Sequence, residues 1–180
     1  IIAFLDRVNI AYAALTMNAD LGFSASVFGM GAGIFFAGYV LFEIPGALIA
    51  ERFSPRAWLA RIMISWGLVS ALMAFITAEW QFYLVRFLLG AAEASFYPVI
   101  YASVIPRWFS AKERPRAIAL LLASLQVSAI VGSPLAGWIL GLEVFGLRGW
   151  QALFILESVP ACIFGLVIYF WLPDRPSQAR

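Results

Sequence analysis

The chain has 180 residues, of which 63% are hydrophobic, 16% aromatic and 12% charged, with a mean hydropathy of +0.91. That is too little polar surface to coat a soluble domain of this length, and the composition reads as a polytopic membrane protein. The formal net charge of +2 is scattered through short breaks rather than gathered into a patch, which argues against a nucleic-acid partner. With no His, one Cys, no Gly-rich phosphate loop and no nucleophile motif, the chain also lacks the parts for metal catalysis or nucleotide hydrolysis.

A bilayer core about 30 Å thick takes about 20 apolar residues per helix. Six such stretches follow one another, at 1–16, 27–50, 58–78, 81–105, 117–140 and 150–172. The expected organisation is one six-helix bundle over 1–172 with its first helix truncated, because the chain opens on Ile1 inside an apolar run. Residues 173–180 read as the start of a cytoplasmic linker.

The first stretch carries Asp6 and Arg7 side by side, with Asn9 and Ala13 on the face of Asp6 and Arg7 turned about 100° away. On the second, Tyr39, Glu43 and Gly46 repeat at offsets that keep them on one helical face. Between the second and third come Glu51, Arg52 and Arg56. The fourth presents Arg86, Gly90, Glu93 and Tyr97 along one stripe, read as a cation, a gap, an acid and a phenol, and Pro98 predicts a bend there that shapes a cavity. Bases return in the following loop, at Arg107, Lys112, Arg114 and Arg116. The fifth stretch contributes Ser124, Gln126 and Ser128, polar enough to line a site or to join helices. The sixth holds Glu157, read as a structural hydrogen-bonding group, and Cys162, read as packing. Trp58, Trp80, Trp108, Trp150 and Trp171 lie near stretch ends and fit interfacial belts.

Topology follows from the bases. Arg52, Arg56 and Arg61, then the 107–116 cluster, then Arg175 and Arg180 mark one side, whereas the opposite loops hold Arg148 as their one base. The positive-inside rule makes the basic side cytoplasmic, with both ends of the bundle inside. An ionisable group at helix centre costs roughly 2.5–3.5 kcal/mol on the insertion scale, so Asp6, Arg7, Arg86 and Glu93 point to an ion or substrate pathway. A guanidinium matches a substrate carboxylate, while a neighbouring acid loads and releases a proton. Purely structural ion pairs are a weaker explanation, because burying such pairs often costs more in desolvation than it returns.

These stretches together resemble the first six helices of the major facilitator superfamily, and within it the anion:cation symporter family of organic-acid transporters. The resemblance rests on Leu5-Asp6-Arg7-Val8-Asn9, on Gly38-Tyr39 through Glu43-Ile44-Pro45, on Glu51-Arg52-Phe53 through Arg56, and on Arg86-Phe87-Leu88-Leu89-Gly90-Ala91-Ala92-Glu93-Ala94. It continues through Trp108-Phe109 to Glu113-Arg114, Arg116-Ala117 and Gly132-Ser133-Pro134-Leu135-Ala136-Gly137, and so covers the whole chain. In the loop after the second helix, Ser54 and Pro55 depart from the family's usual Gly and base.

The resemblance implies an all-α fold, the N-terminal half of a 12-helix transporter built from 3+3 inverted repeats, working by alternating access about a midplane site with a C-terminal half beyond this chain. It implies Asp6 and Glu93 as proton-coupling groups, Arg7, Arg86, Tyr39 and Gln126 as substrate-binding groups, and Glu51, Arg52 and Arg56 as a conformational loop. Asn9, Glu43 and Tyr97 are further cavity candidates. The expected activity is secondary transport of a small organic anion, such as a sugar acid, tartrate or an aromatic carboxylate, by proton symport across the cytoplasmic membrane, with no cofactor beyond the coupling ion. The rivals are a uniporter, an exporter or neutral-sugar carrier, an intramembrane enzyme using Asp6 and Glu93 as a carboxylate pair, and a receptor or structural protein.

Overall fold

A computed structural model describes residues 2–52, 54–142 and 146–173, with side chains from Ile10 onward. Its helices are α1 (Ile2–Leu21), α2 (Ala25–Arg52), α3 (Pro55–Leu72), α4 (Glu79–Glu93), α5 (Phe96–Val99), α6 (Ile105–Trp108), α7 (Arg114–Leu140) and α8 (Gly149–Trp171). A 3₁₀ turn, Met73–Phe75, extends α3, and a π-helical segment, Ile100–Val104, joins α5 to α6. The short helices α5 and α6 continue the course of α4, so the six expected spans are recovered, the fourth of them broken. Five of the spans are long and apolar enough to cross a membrane. The sixth, α1, has 20 residues, about 30 Å at 1.5 Å each, but Asp6, Arg7, Asn9, Asn18 and Asp20 dilute its apolar run.

Local chemistry sets the helix starts. Ser54 accepts a hydrogen bond from the Ala57 amide at 3.1 Å and Pro55 occupies the first turn, so the two positions that depart from the family's loop pattern are those that begin α3. Gln81 reaches back to accept from the Thr77 and Ala78 amides at 2.7 and 3.3 Å, which starts α4. Before α7, Glu113 Oε2 accepts from the Ser110 amide at 3.0 Å and from its hydroxyl at 2.6 Å. Arg114 donates to the Phe109 and Pro106 carbonyls at 3.3 and 3.2 Å, closing the loop.

The Ser110 bonds hold the Glu113 carboxyl below its ordinary value of 4.5. A lowered folded value means that the loop's closure is fully supported above the ordinary value and is lost as pH falls through the folded one. Protection of the Ser110 amide, taken relative to its intrinsic exchange rate at each pH, is therefore expected to hold at neutral pH and to fall only below the usual carboxylate range. A flat profile across that range would show that Glu113 does not hold the loop.

Packing is pairwise: α2 lies on α4, α1 on α7, α3 on α8, α3 also on α4, and α1 also on α8. Exchanging the first three spans for the last three maps these pairings onto one another, as a 3+3 inverted repeat requires. Small residues allow the approach. A Cβ on Gly67 would meet Cys162 Sγ at 2.7 Å, and one on Gly165 would meet Ile64 at 2.6 Å, which locks α3 to α8 and confirms Cys162 as a packing residue.

At the end of the bundle away from the basic loops, Asp20 of α1 pairs with Arg148 at 3.2 Å and accepts from Trp150 Nε1 at 2.8 Å. Trp150 is 1% exposed and is therefore core rather than belt, whereas Trp80 and Trp171, at 63% and 81%, fit the belt. Long rows on α2 and α7 stay exposed, including Phe36, Val40, Ile44, Leu120, Ile130 and Trp138.

Candidate functional site

The site is assembled where α4 crosses α2. On α2, Gly31, Phe35, Gly38, Gly46 and Ala50 fall on one buried face. On α4, Phe82, Val85, Arg86, Leu89, Gly90 and Glu93 are buried. Two glycines bring the backbones together: a Cβ on Gly90 would strike the Phe35 carbonyl oxygen and stand 2.9 Å from the Tyr39 nitrogen. One on Gly38 would strike the Phe87 carbonyl oxygen and stand 3.2 Å from the Ala91 nitrogen. Gly90 is thus no gap in the polar stripe. The backbone of α2 occupies it.

This crossing places the ionisable groups. Arg86 is 7% exposed, donates from Nε to the Gly31 carbonyl at 3.3 Å, and sets Cζ 4.6 Å from the Phe35 ring centroid. A guanidinium over an aromatic face gains cation–π attraction that strengthens with desolvation. Among the described residues, Arg86 is the charged member of the wall of a cavity of about 250 Å³, lined also by Ile10, Ala11, Phe28, Ala32, Phe35 and Phe36. Glu93, two turns further along α4 and about 10 Å away along the axis, is 1% exposed. A cation in an apolar, aromatic frame and a sequestered acid on the same helix can hold an anion at one point and a proton at another.

The helix ends at Glu93. Pro98 has no N–H to give to the carbonyl four residues back, and its ring would collide with that carbonyl, which belongs to Ala94. The chain responds with Ala94 at φ −52°, ψ 145° and Ser95 at φ 68°, ψ 2°, the geometry of a type II turn that normally calls for Gly at its third position. Ser95 is the one non-glycine with positive φ among the described residues. Such a conformation costs about 1–3 kcal/mol. Its hydroxyl donates to the Ala94 carbonyl at 2.5 Å, replacing the missing helical donor, and accepts from Trp58 Nε1 at 2.9 Å. The bend expected at Pro98 is therefore a break at Ala94–Ser95, one turn earlier and next to the acid.

The break also divides the expected stripe. Tyr97 lies beyond it on α5, half-buried with its ring edge-on to Phe96, and is not aligned with Arg86 and Glu93 by one ideal helix. Tyr39 is half-buried on the face of α2 that meets α4, its ring 6.1 Å from that of Phe35, and Glu43 one turn on is also half-buried. Gln126 is exposed on α7, on the side opposite the buried Ser128, Gly132 and Ala136. Glu51 and Arg52 are exposed at the end of α2, and Arg56 is half-buried with Cζ 5.7 Å from the Tyr169 ring. Asp6, Arg7 and Asn9 lie on α1, with side chains outside the described residues. Trp58, expected in a belt, and Ser95, which carried no expectation, were missed; the readable signal was Pro98 placed four residues after Ala94.

The chain matches the model of the Major Facilitator Superfamily over residues 1–180. A protein of Agrobacterium vitis named as a tartrate transporter is 52% identical over 182 residues, which cover 99% of this chain and 40% of that protein. A protein of Acinetobacter baumannii named "Quinolone resistance transporter" is 40% identical, over 100% of this chain and 42% of that one. Among solved structures, a bacterial homologue of the human lysosomal transporter Spinster aligns with a TM-score of 0.85 at 21% identity, over 99% of this chain and 43% of that one, and bears on the fold alone. The chain spans about 40% of the length of the curated relatives it matches, as an N-terminal half does. These relatives are transporters rather than enzymes, which sets the carboxylate-pair enzyme aside. Six spans, their exchange symmetry and this match together identify the chain as the N-terminal half of a multi-pass membrane protein belonging to the major facilitator superfamily.

Proposed function

We propose that the whole protein carries a small organic anion across the cytoplasmic membrane by proton symport, with both ends of this half on the cytoplasmic side. The observation that carries the reading is Arg86: among the described residues, a buried guanidinium is the charged group on the wall of an apolar and aromatic cavity between α1 and α2. That chemistry suits a carboxylate on a compact organic body. The similarity to the relative named for tartrate, at 52% identity, supports the same substrate class. Glu93 is the proton-coupling group on this reading, with Asp6 its partner on α1; Arg7, Tyr39 and Gln126 complete the substrate contacts, and Asn9, Glu43 and Tyr97 the wider cavity. Glu51, Arg52 and Arg56 act in the conformational change.

The test is uptake of a panel of labelled carboxylates by the full-length protein in liposomes, with an inward proton gradient imposed and then collapsed by ionophore. Gradient-dependent uptake of one acid supports the reading, and uptake indifferent to the gradient rejects the symport. The relative named for quinolone resistance favours a second reading, in which substrate moves outward. Competition by uncharged analogues and efflux from preloaded vesicles separate the two.

Arg86→Lys is expected to raise the KM for the anion about 10- to 100-fold with little change in folding. A point charge replaces a planar fork, and a hydrogen bond to a charged group contributes about 1.5–3 kcal/mol. Uptake kinetics of the variant check this, and an unchanged KM would remove Arg86 from the substrate site.

A further inference from the structure

We propose that Ser95 and Trp58 are positioning residues for Glu93: the Trp58–Ser95 hydrogen bond fixes the break in the fourth span and thereby where the acid stands. The inference rests on the reading of Glu93 as the proton-coupling group. It starts from an anomaly of residue type. A type II turn asks for Gly where Ser95 sits, and Gly would adopt φ 68° without strain. Serine offers instead a hydroxyl that is used twice, donating to Ala94 and accepting from Trp58, at a position 0% exposed. Through the indole of Trp58, this side chain ties the turn to α3.

Three helices meet at the turn. Gly46 of α2 faces it so closely that a Cβ there would strike Ser95 Oγ and stand 2.9 Å from Ser95 Cβ and 3.4 Å from the Trp58 ring. Trp58 reaches it from the second turn of α3, half-buried, with Arg61 Cζ 4.2 Å from its own ring centroid. Glu93 is two residues before Ser95, the last residue of α4, so it shares the rigid body that ends at the turn. The piece beyond, from Phe96 to Trp108, changes from α to π and back within 13 residues and is the more adaptable side. A rigid α4 crossing held by glycines and a strained turn held by an indole N–H together leave Glu93 one position.

A contact of this kind differs from ordinary packing in what it controls. Losing it leaves the α2–α4 crossing intact, since Gly38 and Gly90 lie one and more turns away from it. What changes is the register of the acid against the pathway, and so the coupling of proton to substrate rather than the binding of substrate.

The test uses the full-length protein in liposomes and reads two activities on each variant, gradient-driven accumulation and counterflow exchange, beside thermal stability in detergent. Trp58→Phe keeps the ring and removes the N–H. Ser95→Gly removes the hydroxyl and relieves the positive φ. Both are expected to lose accumulation about tenfold, the scale of one lost hydrogen bond to a buried group, while exchange KM is unchanged. Ser95→Gly is expected to be at least as heat-stable as the parent, an outcome that a merely structural serine would not combine with lost coupling. Trp150→Phe, which removes an indole N–H bonded to Asp20 elsewhere in the half, is the control expected to keep coupling.

Wild-type accumulation in Trp58→Phe and Ser95→Gly overturns the proposal, as does equal loss of accumulation and exchange. Glu93→Gln run alongside separates the two levels. If it retains accumulation, the reading of Glu93 fails; if it loses accumulation while the two positioning variants keep theirs, the positioning proposal fails alone.

Discussion

Glu93→Gln is expected to abolish proton-driven accumulation while substrate exchange remains measurable. Glu93 is 1% exposed, on the last turn of α4. An ionised group there costs several kcal/mol unless its surroundings repay it, so its proton occupancy is tied to what stands beside it. Glutamine matches the shape and keeps the site permanently uncharged. The gradient-driven rate should fall about 100-fold or more, the usual scale for removing a positioned proton-transfer group. Counterflow needs no net proton movement and should persist. The measurement is steady-state accumulation with and without ionophore, beside counterflow, on the same vesicles. Loss of both activities in a folded variant would instead assign Glu93 to substrate binding.

Gly90→Val is expected to destroy the fold of this half. A side chain at Gly90 meets backbone rather than the yielding tip of a neighbour: the Phe35 carbonyl oxygen, the Tyr39 nitrogen at 2.9 Å and the Phe35 carbonyl carbon at 3.0 Å. Overpacking an interior costs about 1–3 kcal/mol and more where a helix axis must shift, because backbone atoms move only with the helix that carries them. The same shift would carry Phe35 off the Arg86 guanidinium and open the cavity wall. Gly33→Val, on the same α2 helix, has nothing within 4 Å of its added Cβ among the described residues and should be tolerated. Monodisperse yield after detergent extraction, with thermal midpoint, distinguishes the pair. Equal behaviour of the two variants would mean that the helices are free to separate at the crossing.

Composition and spacing made much of this protein legible. Runs of about 20 apolar residues can be satisfied in a bilayer only as helices, so the number of spans followed from the sequence, with ends that moved by a few residues where Ser54, Gln81 and Glu113 cap or brace them. The cost of membrane-embedded charge likewise singled out Arg86 and Glu93, and both are buried at the α2–α4 crossing. The periodicity that set Tyr97 on one stripe with Arg86 and Glu93 assumes an unbroken helix, and the chain interrupts it at Ala94–Ser95.

Only the tertiary structure decided what small and aromatic residues do. Gly90 read as a gap because a sequence shows what a glycine lacks and not what fills the space; the backbone of α2 fills it. Trp58 and Trp150 read as belt residues because position near a span end is all that sequence records, yet their indole N–H groups are spent on Ser95 and Asp20 in other spans. Hydropathy and charge are properties of single residues summed along a chain, and they fix which segments enter a membrane. Close approach, cross-helix hydrogen bonds and the strain at Ser95 belong to pairs of segments distant in sequence, and they exist only once the helices have packed.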